Sequence, residues 1–184
     1  MLIRKAELKD AADLAKIKCD TWKASYKHII DADTLQKEMQ IAAHEKKFAN
    51  QLESSDKNSV YFVAENERNE VLGYILLLTK TDNSRDDEGS FIGKTLKSMQ
   101  VGSALLSAIY VLPQEQGKGI GRALLDYAKS FCRNKGITEI FCECFAENQS
   151  GMKFHLKNGA EIIGVEKGET FDKPYDGYKL KWEI

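Results

Sequence analysis

The chain has 184 residues, with 27 Lys and Arg against 28 Asp and Glu, a net charge of −1, and four cysteines. That length suits a single domain, 1–184, with a proper core; the balanced charge speaks against a nucleic-acid partner, and no apolar run approaches the roughly eighteen residues of a membrane span. The stretch Met1-Leu2-Ile3-Arg4-Lys5 lacks a signal-peptide core, so a cytoplasmic location is expected. Cys19, Cys132, Cys142 and Cys144 contain no C-x-x-C pair and His28, His44 and His155 show no metal spacing, so reduced core thiols and no metal are expected.

Residues 2–6 read as a short strand. Asp10 is placed to cap a helix running to Tyr26, with Leu14, Ala15, Ile17 and Trp22 on its apolar side. Ile29-Ile30-Asp31 breaks the pattern, and one long helix over 33–52 is expected next, with Leu35, Met39, Ala42 and Leu52 facing inward. A turn at 54–58 leads to strands at 60–65 and 71–79, joined by the five-residue polar turn 66–70 as a hairpin. Residues 81–89 are polar and charged, a surface loop. Residues 91–99 carry mild helical spacing at Ile92, Leu96 and Met99 and read as a short helix.

A strand beginning near Ala104 ends in apolar Ala108-Ile109-Tyr110-Val111, and Pro113 cannot extend it. From Ile120 the period changes to that of a helix, with Ile120, Ala123, Leu124, Tyr127, Ala128, Phe131 and Cys132 on one face; Lys135-Gly136 ends it. A strand at 139–145, a turn, a helix over 150–157 ended by Asn158-Gly159, and strands at 160–167 and 177–183 complete the chain. The turn between the last two is expected to hold Gly168 and Pro174. The order β-α-α-β-β-(α)-β-α-β-α-β-β predicts an α/β fold. Its sheet is mixed and mostly antiparallel, with helices on both faces and a parallel strand-helix-strand unit around helix 120–135.

Between that strand and helix lie Gln116, Gly117, Lys118, Gly119, Ile120, Gly121 and Arg122. A helix start has free N–H groups and the positive end of the dipole, and glycines let a phosphate reach them. Lys118 and Arg122 add positive charge. The segment suits a phosphate or pyrophosphate; the alternative is a glycine-rich connector that binds nothing. Arg122 stands where a dinucleotide fingerprint needs its third glycine, and no segment fits the phosphate loop of nucleotide hydrolases.

What fits is Q-x-x-G-x-G at Gln116, Gly119 and Gly121, following Tyr110-Val111-x-Pro113. Here the sequence resembles the GNAT superfamily of N-acetyltransferases. Asn148-Gln-Ser-Gly-Met-Lys-Phe-His-Leu-Lys-Asn-Gly-Ala160 is similar to the family's N-x-x-A-x-x-F-Y-x-x-x-G-F, agreeing at Asn148, Phe154 and Gly159. Trp22, Tyr26 and the Ile29-Ile30 break also look like the start of small bacterial members. The resemblance covers the chain except about 81–102.

The resemblance implies an acetyl-CoA-dependent N-acyltransferase acting on a primary amine of a small molecule or peptide. Loop N–H groups at 116–122, with Ile109, Tyr110 and Val111, would hold the cofactor. A backbone N–H near Val111 would steady the oxyanion, and one such donor contributes roughly 3–4 kcal/mol. Asn148 is a cofactor ligand by resemblance, or a turn asparagine starting a helix. His155 stands where the family often has the tyrosine assigned to protonate the leaving thiolate; it could give that proton, take one from the amine, or simply pack. Many relatives place a glutamate where this chain has Leu105, so Glu143 on the neighbouring strand or a water relay is the candidate base. Trp22 and Tyr26 would line the acceptor pocket, or belong to the core. A catalytically weak acetyl-CoA-binding sensor of the same fold is the alternative, and a nucleotide-dependent enzyme a third. The oligomeric state is open, a homodimer included.

Overall fold

The computed structural model describes residues 1–54, 58–80, 96, 98–170 and 173–184. Its elements are β1 (Leu2–Lys5), α1 (Ala11–Tyr26), α2 (Ala32–Glu38), α3 (Ile41–Glu53), β2 (Ser59–Glu65), β3 (Val71–Thr79), β4 (Ala104–Val111), α4 (Ile120–Asn134), β5 (Glu139–Phe145), α5 (Gln149–Lys157), β6 (Glu161–Thr170) and β7 (Lys173–Glu183). The strands form one seven-stranded sheet in the order β1-β2-β3-β4-β5-β7-β6. β4 and β5 are parallel, while β1–β2, β5–β7 and β6–β7 are antiparallel. A helix joining two neighbouring strands returns the chain to the end where it started, which is why the β4–α4–β5 step is the parallel one. This is the mixed, mostly antiparallel α/β fold that the residue pattern predicts. Most of the 81–89 and 91–99 expectations, the middle of the 54–58 turn and the tip between β6 and β7 lie outside the described residues.

The chain gathers into two compact parts, residues 1–76 with 108–128 and residues 77–107 with 129–184. In the first, α1 turns Ala11, Leu14, Ala15 and Ile17 onto Tyr61, Val63, Tyr74 and Leu112. Phe48 of α3 sits edge-on to Tyr61 and Tyr74, with ring centroids 5.9 and 5.8 Å away. The 66–70 hairpin turn is tied by the Asn66 side chain, whose oxygen accepts from the N–H groups of Arg68 and Glu70.

Three expectations change here. The single helix over 33–52 is two helices, broken at Met39 and Gln40. Leu35 and Phe48 are both buried, yet 13 positions of unbroken helix would turn one about 220° from the other. The break faces both inward and leaves Ala42 exposed. Asp10 does not cap α1 with its side chain. Its carboxylate turns back to accept the Glu7 N–H at 2.7 Å and both Arg4 Nη atoms at 2.7 and 2.8 Å. On α4, Leu125 is buried and Tyr127 is exposed, its ring resting 5.0 Å from Phe62.

The second part is built on alternation. Ile140, Cys142 and Cys144 of β5 are buried, as are Leu180 and Trp182 of β7, paired with Cys142 and Ile140. Burial pushes the Cys144 thiol up to about 12, and all four cysteines are unpaired, buried thiols. Leu96 and Met99 pack with Leu105 against Leu78 and Phe141. β6 and β7 run further than 167 and 177: Gly168 pairs with Tyr175 and Glu169 with Pro174, so both turn candidates are strand residues. The α4 and α5 stops fall where expected, at Gly136 (φ 73°) and Gly159 (φ 84°). Among the described residues no helix is long and apolar enough to cross a membrane.

Arg4 holds Asp10, at 3 % side-chain exposure, and also donates from Nε to Glu65 at 2.8 Å. Burial would raise the Asp10 carboxyl, but the Arg4 and Glu7 hydrogen bonds outweigh it and hold it below its ordinary value. Arg4→Met leaves two carboxylates without their cation and is expected to cost about 3 kcal/mol, read from the urea midpoint. A depressed carboxyl adds stability above its unfolded pKa and loses it as pH falls through the folded value, so the variant's acid transition should be shallower below about pH 4.

Candidate cofactor loop and acceptor wall

The end of β4 is fixed from three sides, all within the first part. The Val111 carbonyl accepts the Thr21 hydroxyl at 3.2 Å and the Gln116 Nε2–H at 3.1 Å, which uses both lone pairs. The next N–H, of Leu112, donates to Leu72 at 2.9 Å. Opposite lies Gly73, where an added Cβ would stand 2.7 Å from the Tyr110 carbonyl oxygen. No side chain fits there, so Gly73 is what lets β3 approach Tyr110 and Val111.

From this anchor the chain enters the glycine turn. Gly117 and Gly119 have φ of 78° and 85°, the left-handed region that glycine adopts without strain. A Cβ on either would meet nothing within 4 Å, so conformation and not crowding calls for glycine, and the space above the turn is open. Ala123 N–H donates to the Gly119 carbonyl, making Gly119 the first cap of α4. The N–H groups of Ile120, Gly121 and Arg122 then have no acceptor within the helix. Ile120 itself is buried. Lys118 pairs with Glu115 at 3.0 Å and Arg122 with Asp126 at 3.5 Å; both cations and Asp126 are largely solvated, and Glu115 is half-buried. Screened and paired, they add little to the positive end of the helix, and the backbone supplies most of it.

Along α1 runs an aromatic wall. Trp22 Nε1 donates to the Tyr110 hydroxyl at 3.0 Å, and the Tyr26 ring stands edge-on to Trp22 at 5.1 Å. Tyr110 in turn lies edge-on to Tyr74 at 5.5 Å. The Tyr26 carbonyl accepts from Ile29 and Ile30, producing the break read from sequence.

Three further candidates belong to the second part. Asn148 caps α5: its Oδ1 accepts the Gly151 N–H at 3.0 Å and the Ser150 hydroxyl at 3.1 Å. A Cβ at Gly151 would come within 2.5 Å of the Asn148 amide nitrogen, so an alanine there, as in the motif, would need the Asn148 side chain to shift. Glu143 is half-buried on the face of β5 opposite Cys142 and Cys144, across from Lys179. His155 is 7 % exposed, edge-on to Trp182 at 5.5 Å, with Nδ1 buried and without a partner. Burial drops its pKa to about 4, so the ring is neutral at physiological pH.

Thus the glycine loop, β4 end, Trp22 and Tyr26 form one set, and Glu143, Asn148 and His155 another. Residue patterns overlooked Thr21 and Gly73. A lone glycine inside an apolar strand run was the available signal for Gly73. Thr21, a polar residue four after Ile17 on the buried face, was the signal for a hidden hydrogen bond.

The mixed sheet, with its parallel β4–α4–β5 step entered through a glycine turn at a helix start, makes this an α/β protein. The chain belongs to the acetyltransferase (GNAT) family, whose family model matches residues 22–160. It is 29 % identical to the uncharacterized N-acetyltransferase YuaI of Bacillus subtilis (strain 168) over 175 residues, 91 % of this chain and 89 % of that one. It is 23 % identical to a spermidine N(1)-acetyltransferase of Thermoplasma acidophilum, covering 95 % of this chain and 97 % of the relative. The PaiA N-acetyltransferase of Thermoplasma acidophilum, solved in complex with coenzyme A, superposes with a TM-score of 0.71 at 20 % identity over 100 % of this chain and 98 % of that one.

The buried His155 has a consequence for stability. Its unfolded form takes a proton near pH 6.5 but the folded form only near pH 4, so protonation favours unfolding as pH falls. Between those values the protein is expected to lose about 3 kcal/mol, and His155→Phe, which keeps an aromatic against Trp182, should flatten that stretch of the urea-midpoint-against-pH curve.

Proposed function

We propose that this protein transfers an acetyl group from acetyl-CoA to a primary amine of a small molecule or peptide, as one catalytic domain over 1–184. The observation that carries this is the open turn at Gly117 and Gly119, with the N–H groups of Ile120, Gly121 and Arg122 behind it. Those donors suit a pyrophosphate, and a Cβ at either glycine would project into the space a phosphate needs. Bound acetyl-CoA supplies an activated acyl thioester.

The residues of this chain supply the rest. Ile109, Tyr110 and Val111 offer the β4 backbone to the cofactor's arm, beyond Ala104 to Leu106, which are in register with β5. A main-chain N–H near Val111 steadies the oxyanion. With its oxygen capping α5, Asn148 has its amide nitrogen left for the cofactor. Trp22 and Tyr26 receive the acceptor. A lysine-like amine is neutral in only roughly one molecule in 3000 at pH 7, so a proton acceptor is needed, and Glu143 fills that role. His155, neutral and with a buried nitrogen lacking a partner, offers a hydrogen bond to the departing sulfur in place of a full proton.

A second reading is favoured by one observation. Leu105, 2 % exposed among Leu96, Met99 and Phe141, puts no carboxylate where many relatives have one. A cofactor-binding module with weak transfer activity fits that substitution.

Incubation with acetyl-CoA and a mixed amine panel, followed by thiol release, separates the two: acceptor-dependent thiol supports transfer, while binding without release supports the module. Gly119→Val places a branched side chain at φ 85° and is expected to weaken acetyl-CoA binding at least tenfold by calorimetry, with cooperative melting retained. Unchanged affinity would refute the loop assignment. Glu143→Gln is expected to lower kcat on the order of 10²-fold with the KM for acetyl-CoA unchanged; equal kcat would remove Glu143 as base.

A further inference from the structure

One cluster takes no part in that scheme. Lys18 lies on α1 one turn before Trp22, with its ammonium 4.9 Å from the centroid of the Trp22 ring and 3.3 Å from His44 Nδ1 of α3. His44 Nε2 is 2.6 Å from the Glu38 carbonyl oxygen. A carbonyl only accepts, so Nε2 carries the hydrogen and Nδ1 presents a lone pair to Lys18. The lysine therefore donates to a neutral imidazole. Lys9 and Lys16, on the solvated surface, instead face carboxylates at 2.9 and 3.6 Å. A half-buried ammonium with a neutral acceptor and an aromatic face is poorly compensated for the water it has lost.

We propose that Lys18 is itself an acyl acceptor, a site of self-acetylation in which His44 takes the amine proton. The neutral Lys18 Nζ attacks the thioester carbonyl carbon, the N–C bond forms and the C–S bond breaks. The proton leaving nitrogen passes to His44 Nδ1 and from there to the released thiolate, so the products are an amide and a thiol. Acetylation would remove the cation over Trp22, which is hydrogen-bonded to Tyr110, and so would alter the acceptor wall. The identity of the donor rests on the transfer reading; the reactivity of Lys18 does not.

Burial of the amine acts in the same direction. Burial lowers its pKa most, Lys47 of α3 adds to that, and Glu38 of α2 and Cys19 oppose it, leaving a value of about 8. Burial likewise lowers His44, so the imidazole is present as the free base. At pH 7 about one Lys18 in ten is then neutral, against roughly one in 3000 for an ordinary lysine.

The test is competitive labelling of the full chain, read by peptide mass spectrometry between pH 6.5 and 10. One arm uses acetyl-CoA and a second uses trace acetic anhydride, which needs no cofactor site. Lys18 is expected to label about tenfold faster than Lys16 at pH 7.5 in both arms, with a midpoint near pH 8. His44→Gln should slow Lys18 several-fold and leave Lys16 unchanged; if that variant does not fold, the wild-type pH profile decides. Labelling of Lys18 no faster than Lys16 in the anhydride arm, or none from acetyl-CoA in a protein that binds it by calorimetry, overturns the proposal. A Lys18 preference in the anhydride arm without acetyl-CoA binding overturns the transfer reading and leaves the reactive amine standing.

Discussion

The first part of the structure depends on one carbonyl. The Val111 oxygen takes a hydrogen bond from Thr21 on α1 and another from Gln116 at the mouth of the glycine turn. Helix, strand end and loop are thereby referred to the same atom. A buried carbonyl with both lone pairs used has no reason to rotate, and the N–H of the same peptide, on Leu112, is held on Leu72. Gly73 does the matching work on the other side, because only a residue without Cβ lets β3 come up to the Tyr110 carbonyl.

Charge in this region is carried by backbone more than by side chains. Lys118 and Arg122 drew attention as cations flanking the glycines, yet each stands in solvent beside its own carboxylate. Such pairs contribute little and are screened by salt. The N–H groups at the start of α4 point one way and have no helical acceptor. They suit a diphosphate by geometry, and the positive φ of Gly117 and Gly119 is the condition for that geometry.

Desolvation tunes two basic groups to opposite ends. His155 is buried against Trp182 without a partner for Nδ1, and loss of water drives its pKa far below neutrality, so it stays uncharged. Lys18 starts from a much higher value, and a similar loss brings it down to where it titrates near physiological pH. The same physical cost thus keeps an imidazole neutral and brings an amine toward neutrality. Which side chain reacts depends on where its ordinary pKa began.

Most elements were legible in the residues: the strand at β2, the 66–70 turn, the Gly136 and Gly159 stops and the glycine loop all followed from local periodicity and turn chemistry. Those features involve groups within a few residues of one another, so a sequence determines them directly. The break at Met39 and Gln40, the turning back of Asp10 toward Arg4, the long β6–β7 pairing and the burial of Leu125 needed the tertiary structure. The Arg4 contact shows how distant parts enter, since it joins Asp10 to Glu65. The site divides in the same way. Residue order determined the glycine turn and the Asn148 cap, both built from near neighbours. Only packing decided that Val111 would be held by Thr21, that His155 would be neutral, and that Lys18 would meet His44, because burial and long-range contact depend on what the rest of the chain brings alongside.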